Sequence, residues 1–319
     1  MIAPVGVYKC RLCVDIGRAG VVAKVLVAFQ THVFDWQMQR VFGALTRSLP
    51  PGFEAVVLVH LAPGAPVPTR LAGVPHLVAR TPDIRVAAYG DKSGLGRPDW
   101  SFYEGQTDLL LLHLTRAWPG YAHYWTVEYD VRFTGRWRDF FCRFSDSDAD
   151  LLAANIWSAA DHPAHHYLNT LRVPEGIAAP RPDDLMSCFL PVFRASARLV
   201  DAVDRAYRSG WSGHSEVTWP TIARHENLSI EDLGGTGPYV RAPNRGQVYS
   251  SNIGSWELSP GTFAFKPIKH VLLQRNMLWH PVKPIVPTLR EDWGRVRKRA
   301  RRLSRQWWAT LSGTGPGRA

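Results

Sequence analysis

Two carboxylates, Glu128 and Asp130, stand two positions apart near the end of the apolar run YWTVEYDV, residues 124–131. Residues i and i+2 of a strand point to the same face, so these side chains meet where the strand ends. The carboxyl ends of the strands form the edge at which open α/β sheets bind ligands. Close carboxylates repel each other, and a divalent cation, Mn²⁺ or Mg²⁺, relieves that repulsion. The pair predicts a metal site; the alternative is a strand end with two solvated acids.

A second acidic cluster, DSDAD at residues 146–150, has similar spacing. It precedes the apolar run 151–156, so it begins a strand instead of ending one. In a parallel sheet this position lies at the edge opposite the ligand-binding side. We interpret the cluster as a solvated turn, with metal binding as the alternative.

Strand-like and helix-like patterns alternate through the first half of the chain. The predicted strands are 21–29, 54–61, one near 75–80 or 84–88, and the run that carries the acidic pair; the predicted helices are 34–49 and 105–118. This alternation predicts an α/β, Rossmann-like fold with a mostly parallel sheet and helices on both faces.

The composition is that of an ordinary globular protein, with 319 residues, 45% hydrophobic and 20% charged. No apolar run approaches the length of a membrane-spanning helix, and no signal peptide is apparent at the N-terminus. Cys10 and Cys13 form one CxxC without a partner pair, and we expect reduced thiols in a cytoplasmic protein rather than zinc or redox chemistry.

The positive charge is concentrated near the C-terminus. Residues 290–305 contain eight basic and two acidic residues, a net charge of +6 out of the +11 of the whole chain. One tryptophan, Trp293, lies among these basic residues, and two more, Trp307 and Trp308, follow them. A basic segment with tryptophans is typical of attachment to a membrane surface, so we expect residues 290–308 to contact anionic lipid at the inner face of the membrane. A nucleic-acid-binding tail and a solvated, frayed tail are the alternatives.

Two motifs in the second half also contain groups suited to chemistry. Gly210 to Glu216, sequence GWSGHSE, reads as a glycine-containing loop that enters a helix beside a ligand, although Glu216 at a helix start could be only a dipole partner. Further on, His280 and Lys283 follow an apolar stretch, and these residue types bind metals and phosphates respectively. Between the motifs, Ser196 is the predicted N-cap of a helix over 197–207.

These motifs together resemble glycosyltransferases of the GT-A fold, near poorly characterised bacterial and fungal glycosyltransferase-like families. The resemblance covers residues 21–286 and is carried by four segments: Ala28 to His32 at the end of the first strand, Glu128-Tyr129-Asp130 in place of the Asp-x-Asp metal motif, His214-Ser215-Glu216, and His280 with Lys283. Glutamate in place of the first aspartate is a departure that changes the geometry of the first metal ligand.

The resemblance implies a metal-dependent transferase that moves a sugar from a nucleoside-diphosphate sugar to a hydroxyl acceptor, lipid-linked or polysaccharide, with inversion. The implied residue roles are Glu216 as catalytic base; Glu128, Asp130 and His280 as metal ligands; Gln30, Thr31, His32, Tyr129 and Lys283 in nucleotide-sugar binding; and Trp211 and His214 in acceptor binding. The predicted organisation is an N-terminal extension over 1–20, the catalytic domain over 21–289 and the basic tail over 290–319. The alternatives are a nucleotidyltransferase that uses the same sheet edge, or a non-catalytic protein that binds membrane or nucleic acid.

Overall fold

The computed structural model describes residues 24–84, 86–94, 105–251 and 261–283. Within these ranges the chain forms a seven-stranded sheet with helices on both faces, together with a separate two-stranded ladder. This confirms the predicted α/β fold. The predicted extension over 1–20 and the basic tail over 290–319 lie outside the described residues.

The strands are β1 Val25–Thr31, β2 Phe53–His60, β3 His76–Ala79, β4 His123–Glu128, β5 Arg132–Phe133, β6 Leu151–Ser158, β7 Met186–Ser196, β8 Ile230–Asp232 and β9 Leu278–Trp279. The α-helices are α1 Trp36–Thr46, α2 Thr81–Ile84, α3 Asp91–Gly94, α4 Asp108–Ala117, α5 Trp137–Arg143, α6 Ala197–Arg208 and α7 Ser215–His225. Short 3₁₀ turns occupy Thr69–Leu71, Ala87–Tyr89, Leu168–Thr170 and Ala242–Asn244.

The strand order of the large sheet is β3-β2-β1-β4-β7-β6-β8. Strand β7 pairs antiparallel with both β4 and β6, whereas the other pairings in this sheet are parallel. Strands β1, β2, β3, β4, β6 and β8 therefore point the same way, and their carboxyl ends share one edge. Polar residues that follow these strands are brought together there.

Alternating strand residues divide the core between the two faces of the sheet. Leu26 and Ala28 of β1 face the leucine-rich helix α4 and the helices α6 and α7. Val25 and Val27 face the opposite way, toward an aromatic cluster that α5 forms around Trp125. Both faces are covered, which explains why the parallel strands read as continuous apolar runs.

Helix boundaries follow local signals in the sequence. The side chain of Asp35 accepts a hydrogen bond from Met38 N and caps α1, and Ser196 caps α6 through Leu199 N, as predicted. Strand β1 begins at Val25 and includes Gln30 and Thr31, so those two residues do not terminate it as expected. The third strand forms at 76–79; the alternative at 84–88 is wrong, because a helix and a 3₁₀ turn occupy that region. None of the helices in the described ranges has the length and hydrophobicity required to span a bilayer.

Candidate active site

The acidic pair lies at the carboxyl edge of the parallel strands. Glu128 is the last residue of β4, and Tyr129 N donates to Gln30 O, which extends the pairing with β1 by one bond. The chain then turns, and Asp130 is buried with 6% of its surface exposed. The strand-end position predicted for the pair is confirmed.

The short ladder between β5 and β9 brings His280 to this edge from far along the chain. Arg132 pairs with Trp279 and Phe133 with Leu278, and Val282 N donates to Asp130 O at 2.7 Å. His280 lies between these contacts and is 6% exposed. The ladder therefore fixes a late histidine beside two carboxylates that precede it by about 150 residues in the sequence.

The side chains of Glu128, Asp130 and His280 converge closely enough to hold a metal ion, and we call these three residues the cage. His280 Nε2 lies 3.6 Å from Glu128 Oε2 and 3.5 Å from Asp130 Oδ1. One ligand atom from each residue lies within 4.8 Å of the others. Asp130 Oδ1 is buried and has no hydrogen-bond partner among the described residues. A buried oxygen without a partner is costly in a folded protein, and a cation would supply the missing interaction.

The tautomer of His280 also suits a metal ligand. Its Nδ1 lies 2.9 Å from the carbonyl oxygen of Ala264, so Nδ1 carries the proton and donates it. Nε2 then faces the two carboxylates and is the ring nitrogen that a cation could bind. Metal-bound histidines are commonly oriented in this way by a backbone carbonyl at the other ring nitrogen.

Electrostatics at the cage reflect the crowding of like charges. Burial raises the pKa of the Asp130 carboxyl; His280 opposes this shift and Glu128 reinforces it. Burial acts to lower the pKa of His280, but the neighbouring carboxylates of Glu128 and Asp130 outweigh it and the pKa is raised. A positive charge among these three groups is therefore favoured, whether a proton or a cation supplies it.

The cage opens into a cavity of about 340 Å³. Three carboxylates line it, those of Glu128, Asp130 and Glu216, together with the ammonium groups of Lys266 and Lys283. With His280 neutral, the lining carries a net charge of −1, which a divalent cation would change to +1. A bound cation would therefore make the cavity more favourable to an anionic ligand.

Glu216 and His214 form the opposite wall at the start of α7. His214 Nδ1 accepts a hydrogen bond from Glu216 N and caps the helix, and its ring stacks on Tyr167 with centroids 3.6 Å apart. Burial, with a smaller effect of nearby Lys92, lowers the pKa of His214 to about 3, so the ring is neutral. Glu216 is 8% exposed, and its Oε1 accepts a long hydrogen bond from Leu190 N at 3.4 Å.

A buried ion pair supports this wall from behind. Lys92 is fully buried; its Nζ lies 3.1 Å from Asp108 Oδ1 and donates to the carbonyl oxygens of Gly105 and Gly213 at 2.9 and 3.0 Å. Gly105 has a positive φ of 80° and packs so tightly on His214 that a Cβ would lie 2.8 Å from its Cα. The pair thus ties together the two loops that contribute Gly105 and His214 to the cavity.

Several predicted site residues lie elsewhere. Trp211 is 3% exposed and packs in the hydrophobic core, with His225 against its ring, so its predicted contact with an acceptor is wrong. Thr31 makes a local turn with Val33. Gly210 and Gly213 on either side of Trp211 both have positive φ, and the segment between them turns so that the indole of Trp211 faces inward.

The remaining nucleotide-binding candidates border the site without lining its main cavity. Gln30 lines a small adjoining pocket that also contains Thr126 and Glu128. The ring of His32 lies 4.8 Å from that of Tyr129, edge to face, beside the acidic pair. Their predicted role in binding a nucleotide stays a prediction.

The competing acidic cluster is structural. Asp150 is 1% exposed; it accepts hydrogen bonds from Ser196 Oγ at 2.6 Å and from Ser229 N at 3.0 Å, and it pairs with Arg198. The cluster lies at the start of β6, at the edge opposite the cage, as predicted. The interpretation as a solvated turn is wrong for Asp150, which ties the β7–α6 junction to the segment before β8.

Several residues of the cavity were not foreseen from the sequence, among them Tyr167, Phe189 and Lys266. Tyr167 follows a histidine-rich turn, HPAHH, which could have drawn attention to the segment. Phe189 reads as an ordinary core residue of a strand. No pattern in the sequence separates Lys266 from other basic residues.

No family model and no curated protein sequence matches this chain. Among solved structures, the chain is similar to the inositol-1-phosphate CTP transferase of T. maritima, with 11% identity and a TM-score of 0.33 over 67% of this chain and 87% of that chain. It is also similar to the 2-C-methyl-D-erythritol 4-phosphate cytidylyltransferase of Thermus thermophilus, with 15% identity and a TM-score of 0.34 over 70% of this chain and 90% of that chain.

Both of these structures are of nucleotidyltransferases and neither is of a glycosyltransferase, so they do not support the expectation of a glycosyltransferase, which is corrected here. The strand-end carboxylates that suggested sugar transfer are equally suited to any reaction of a metal-bound nucleotide. At this level of similarity, neither the substrates nor the residue roles of these enzymes carry over to this chain.

Proposed function

We propose that this protein is a nucleotidyltransferase that requires a divalent cation and moves a nucleoside monophosphate from a nucleoside triphosphate to an acceptor. The observation that carries the proposal is the buried cage of Glu128, Asp130 and His280 at the carboxyl edge of a parallel sheet. This edge is the usual place for a nucleotide in such sheets. The cation-dependent change of sign in the cavity lining supports a polyanionic substrate.

The residues of the cage fit a hard divalent cation. Two carboxylates and one neutral imidazole suit Mn²⁺ well, and Mg²⁺ less well because it prefers oxygen ligands alone. Glu128, Asp130 and His280 Nε2 would hold the ion, and Asp130 Oδ1 would gain the partner that it lacks. When bound, the cation offsets negative charge on the triphosphate and on the leaving diphosphate.

Other side chains of the cavity would bind the triphosphate and accept the proton of the acceptor. Lys283 and Lys266 line the same cavity as the cage and would contact the triphosphate. Glu216 would accept the proton of an acceptor hydroxyl, whose oxygen then bonds to the α-phosphorus while the bond to the leaving diphosphate breaks. A hydroxyl suits the wall at Glu216 better than an acceptor phosphate, which that carboxylate would repel.

Calorimetric titration of each nucleoside triphosphate, with Mn²⁺ and with EDTA, tests the binding step. We expect affinity only with Mn²⁺, loss of that affinity in Asp130→Asn, and normal affinity in Asp148→Asn. Asp148 is the matched control, because it is an exposed aspartate at the opposite edge of the sheet. Absence of cation-dependent triphosphate binding would refute the proposal and would favour a non-catalytic role.

Labelled nucleotides test the chemistry. With the label on the α-phosphate, we expect radioactivity in the acceptor product, and with the label on the γ-phosphate we expect it in released diphosphate. Appearance of the γ-label in the product would identify a kinase and refute nucleotidyl transfer. Release of both labels without an acceptor product would indicate hydrolysis and would equally count against the proposal.

A further inference from the structure

Exposed apolar side chains are concentrated in one loop at the rim of the cavity. We call residues 265–275 the rim loop. Of seven large hydrophobic side chains exposed among the described residues, three lie in this loop: Phe265 at 39%, Val271 at 65% and Leu273 at 82%. Single exposed hydrophobic residues are normal on a protein surface, but a cluster of this kind indicates an interaction site.

Basic residues accompany these apolar side chains. Lys266, Lys269 and Arg275 alternate with them, and the rim loop contains no acidic residue. Phe265, Lys266 and Ile268 also line the cavity, so the loop borders its mouth. Exposed aliphatic groups interleaved with cations are the combination that a bilayer with anionic headgroups attracts.

The rim loop is held in place by the same segments that build the cage. Lys269 N donates to the carbonyl oxygen of Pro281 at 2.8 Å, next to His280. At the other end, Thr134 Oγ1 donates to the carbonyl oxygen of Gln274 at 2.6 Å. The exposed side chains are therefore presented by an anchored backbone, and their exposure does not arise from a free chain end.

A second basic feature continues this surface. We call the cavity of about 620 Å³ between α1 and the β5–α5 turn the arginine groove. Four arginines and no acidic residue line it: Arg40, Arg47, Arg132 and Arg136. Arg136 pairs with Asp139 and Arg132 donates to backbone carbonyls, so Arg40 and Arg47 are the two that the proposal uses. The groove adjoins the rim loop's C-terminal end, because a Cβ on its Gly135 would lie 2.5 Å from the side chain of residue 276.

We propose that the rim loop and the arginine groove together form a docking surface for an anionic phospholipid bilayer. Val271 and Leu273 enter the boundary between headgroups and acyl chains, while the arginines contact lipid phosphates. Nucleic acid would leave the aliphatic side chains without partners, and a second copy of the chain would bring like charges together. Docking in this way places the mouth of the cavity at the membrane surface, and it does not depend on the proposed reaction.

Cosedimentation of the full-length protein with vesicles tests the surface. The vesicles contain 70% phosphatidylcholine and 30% phosphatidylglycerol. The double variant Val271→Ser/Leu273→Ser should bind them at least about tenfold more weakly than the parent, because two aliphatic side chains no longer enter the bilayer. The matched control is Val67→Ser/Ile177→Ser, which alters two exposed hydrophobic residues elsewhere, and it should bind as the parent does. Equal binding by the rim-loop variant and the parent would overturn the proposal.

The phosphate contacts have their own test. Arg40→Gln/Arg47→Gln should weaken binding to the anionic vesicles at low salt and should leave the weak binding to pure phosphatidylcholine unchanged. A loss of equal size on both kinds of vesicle would overturn the assignment of the groove to anionic headgroups. The melting temperature of this variant should equal that of the parent, which serves as the control for folding.

A local probe separates docking by the rim loop from any binding by other parts of the chain. Leu273→Cys, labelled with an environment-sensitive dye in a Cys10→Ser/Cys13→Ser background, should shift its emission to the blue on anionic vesicles. The two other cysteines are buried and should not react. Unchanged emission on vesicles would overturn the proposal. So would a shift produced by duplex DNA alone, or one that grows with protein concentration without vesicles, because these identify nucleic acid or a second copy as the occupant.

Discussion

Replacing Asp130 by asparagine should have opposite effects with and without a cation. In the cation-free protein the Asp130 carboxylate is buried, one of its oxygens has no partner among the described residues, and Glu128 lies close by. Asparagine removes the charge and supplies a donor toward that neighbour. The penalty for a buried unsatisfied group is about 1–3 kcal/mol, so we expect Asp130→Asn to stabilise the cation-free protein by about 1 kcal/mol.

Binding of Mn²⁺ should stabilise the parent protein and should not stabilise the variant. A ligand at a hundred times its dissociation constant adds about 2.7 kcal/mol to the free energy of unfolding. Each kcal/mol corresponds to roughly 2–4 °C in a domain of this size, so the melting temperature should rise by about 5–10 °C. In Asp130→Asn the rise in melting temperature should fall to about 1 °C or less, because only Glu128 and His280 remain to bind the ion.

Differential scanning calorimetry in EDTA and in Mn²⁺ provides the measurement. Asp148→Asn is the control for a general effect of removing one negative charge, and it should keep the full Mn²⁺ response. Two results would refute the reasoning: a parent protein whose melting temperature ignores Mn²⁺, or an Asp130→Asn variant that loses stability in EDTA and keeps the response. The first result removes the cage as a metal site, and the second shows that Asp130 has a structural role instead.

Three further outcomes are expected. Glu216→Gln should keep the hydrogen bond from Leu190 N but lower turnover by about 10²-fold or more, with little change in triphosphate affinity; turnover near that of the parent would make Glu216 structural. Lys92→Met should cost about 3–5 kcal/mol in chemical unfolding because it leaves Asp108 buried without its cation. The double change with Asp108→Asn should recover part of that loss, because it removes the charge and keeps an acceptor oxygen for Tyr207 Oη and Trp219 Nε1. Stability should fall as the pH drops from 6.5 toward 4, because the unfolded chain binds protons that the folded chain excludes, and urea midpoints at pH 7.5, 6 and 5 measure this. The groups responsible are four histidines. Burial lowers the pKa to about 4 for the buried His60 and His165 and for the half-buried His123, and to about 3 for the buried His214.

The parallel part of the fold could be predicted because its signals are local. Apolar runs of strand length alternate with helical patterns, and Ser196 marks a helix start as predicted. Strand β7 was not foreseen, although its 11 residues are all buried. A strand covered on both faces has no alternation, so neither its presence nor its antiparallel direction is encoded in a short-range pattern.

The acidic half of the cage could be predicted for the same reason, since Glu128 and Asp130 follow directly on a buried strand. Trp211 shows where such reasoning fails. Glycines on either side of a tryptophan are equally compatible with a loop that presents the ring to a ligand and with a turn that buries it. The outcome is decided by the direction of the backbone at Gly210 and Gly213, which both adopt positive φ.

Lys92 is a related failure, because the sequence places it in a polar, glycine-rich segment that reads as solvated. Its burial depends on Asp108, 16 positions later, and on two carbonyl groups from loops that only the folded chain brings together. A lysine is rarely buried without such partners. Sequence spacing does not reveal them when one of the loops is 121 residues away.

The ladder between β5 and β9 is the element on which the proposals depend most and for which the sequence offers least. Each strand has two residues, too few for any periodic signal, and the pairing joins Arg132 to Trp279 across nearly half of the chain. It fixes His280 beside the carboxylates, and the same turn and segment anchor the rim loop through Thr134 and Pro281. Because one ladder positions both the cage and the exposed aliphatic side chains, the chemistry and the proposed membrane contact share a single structural support.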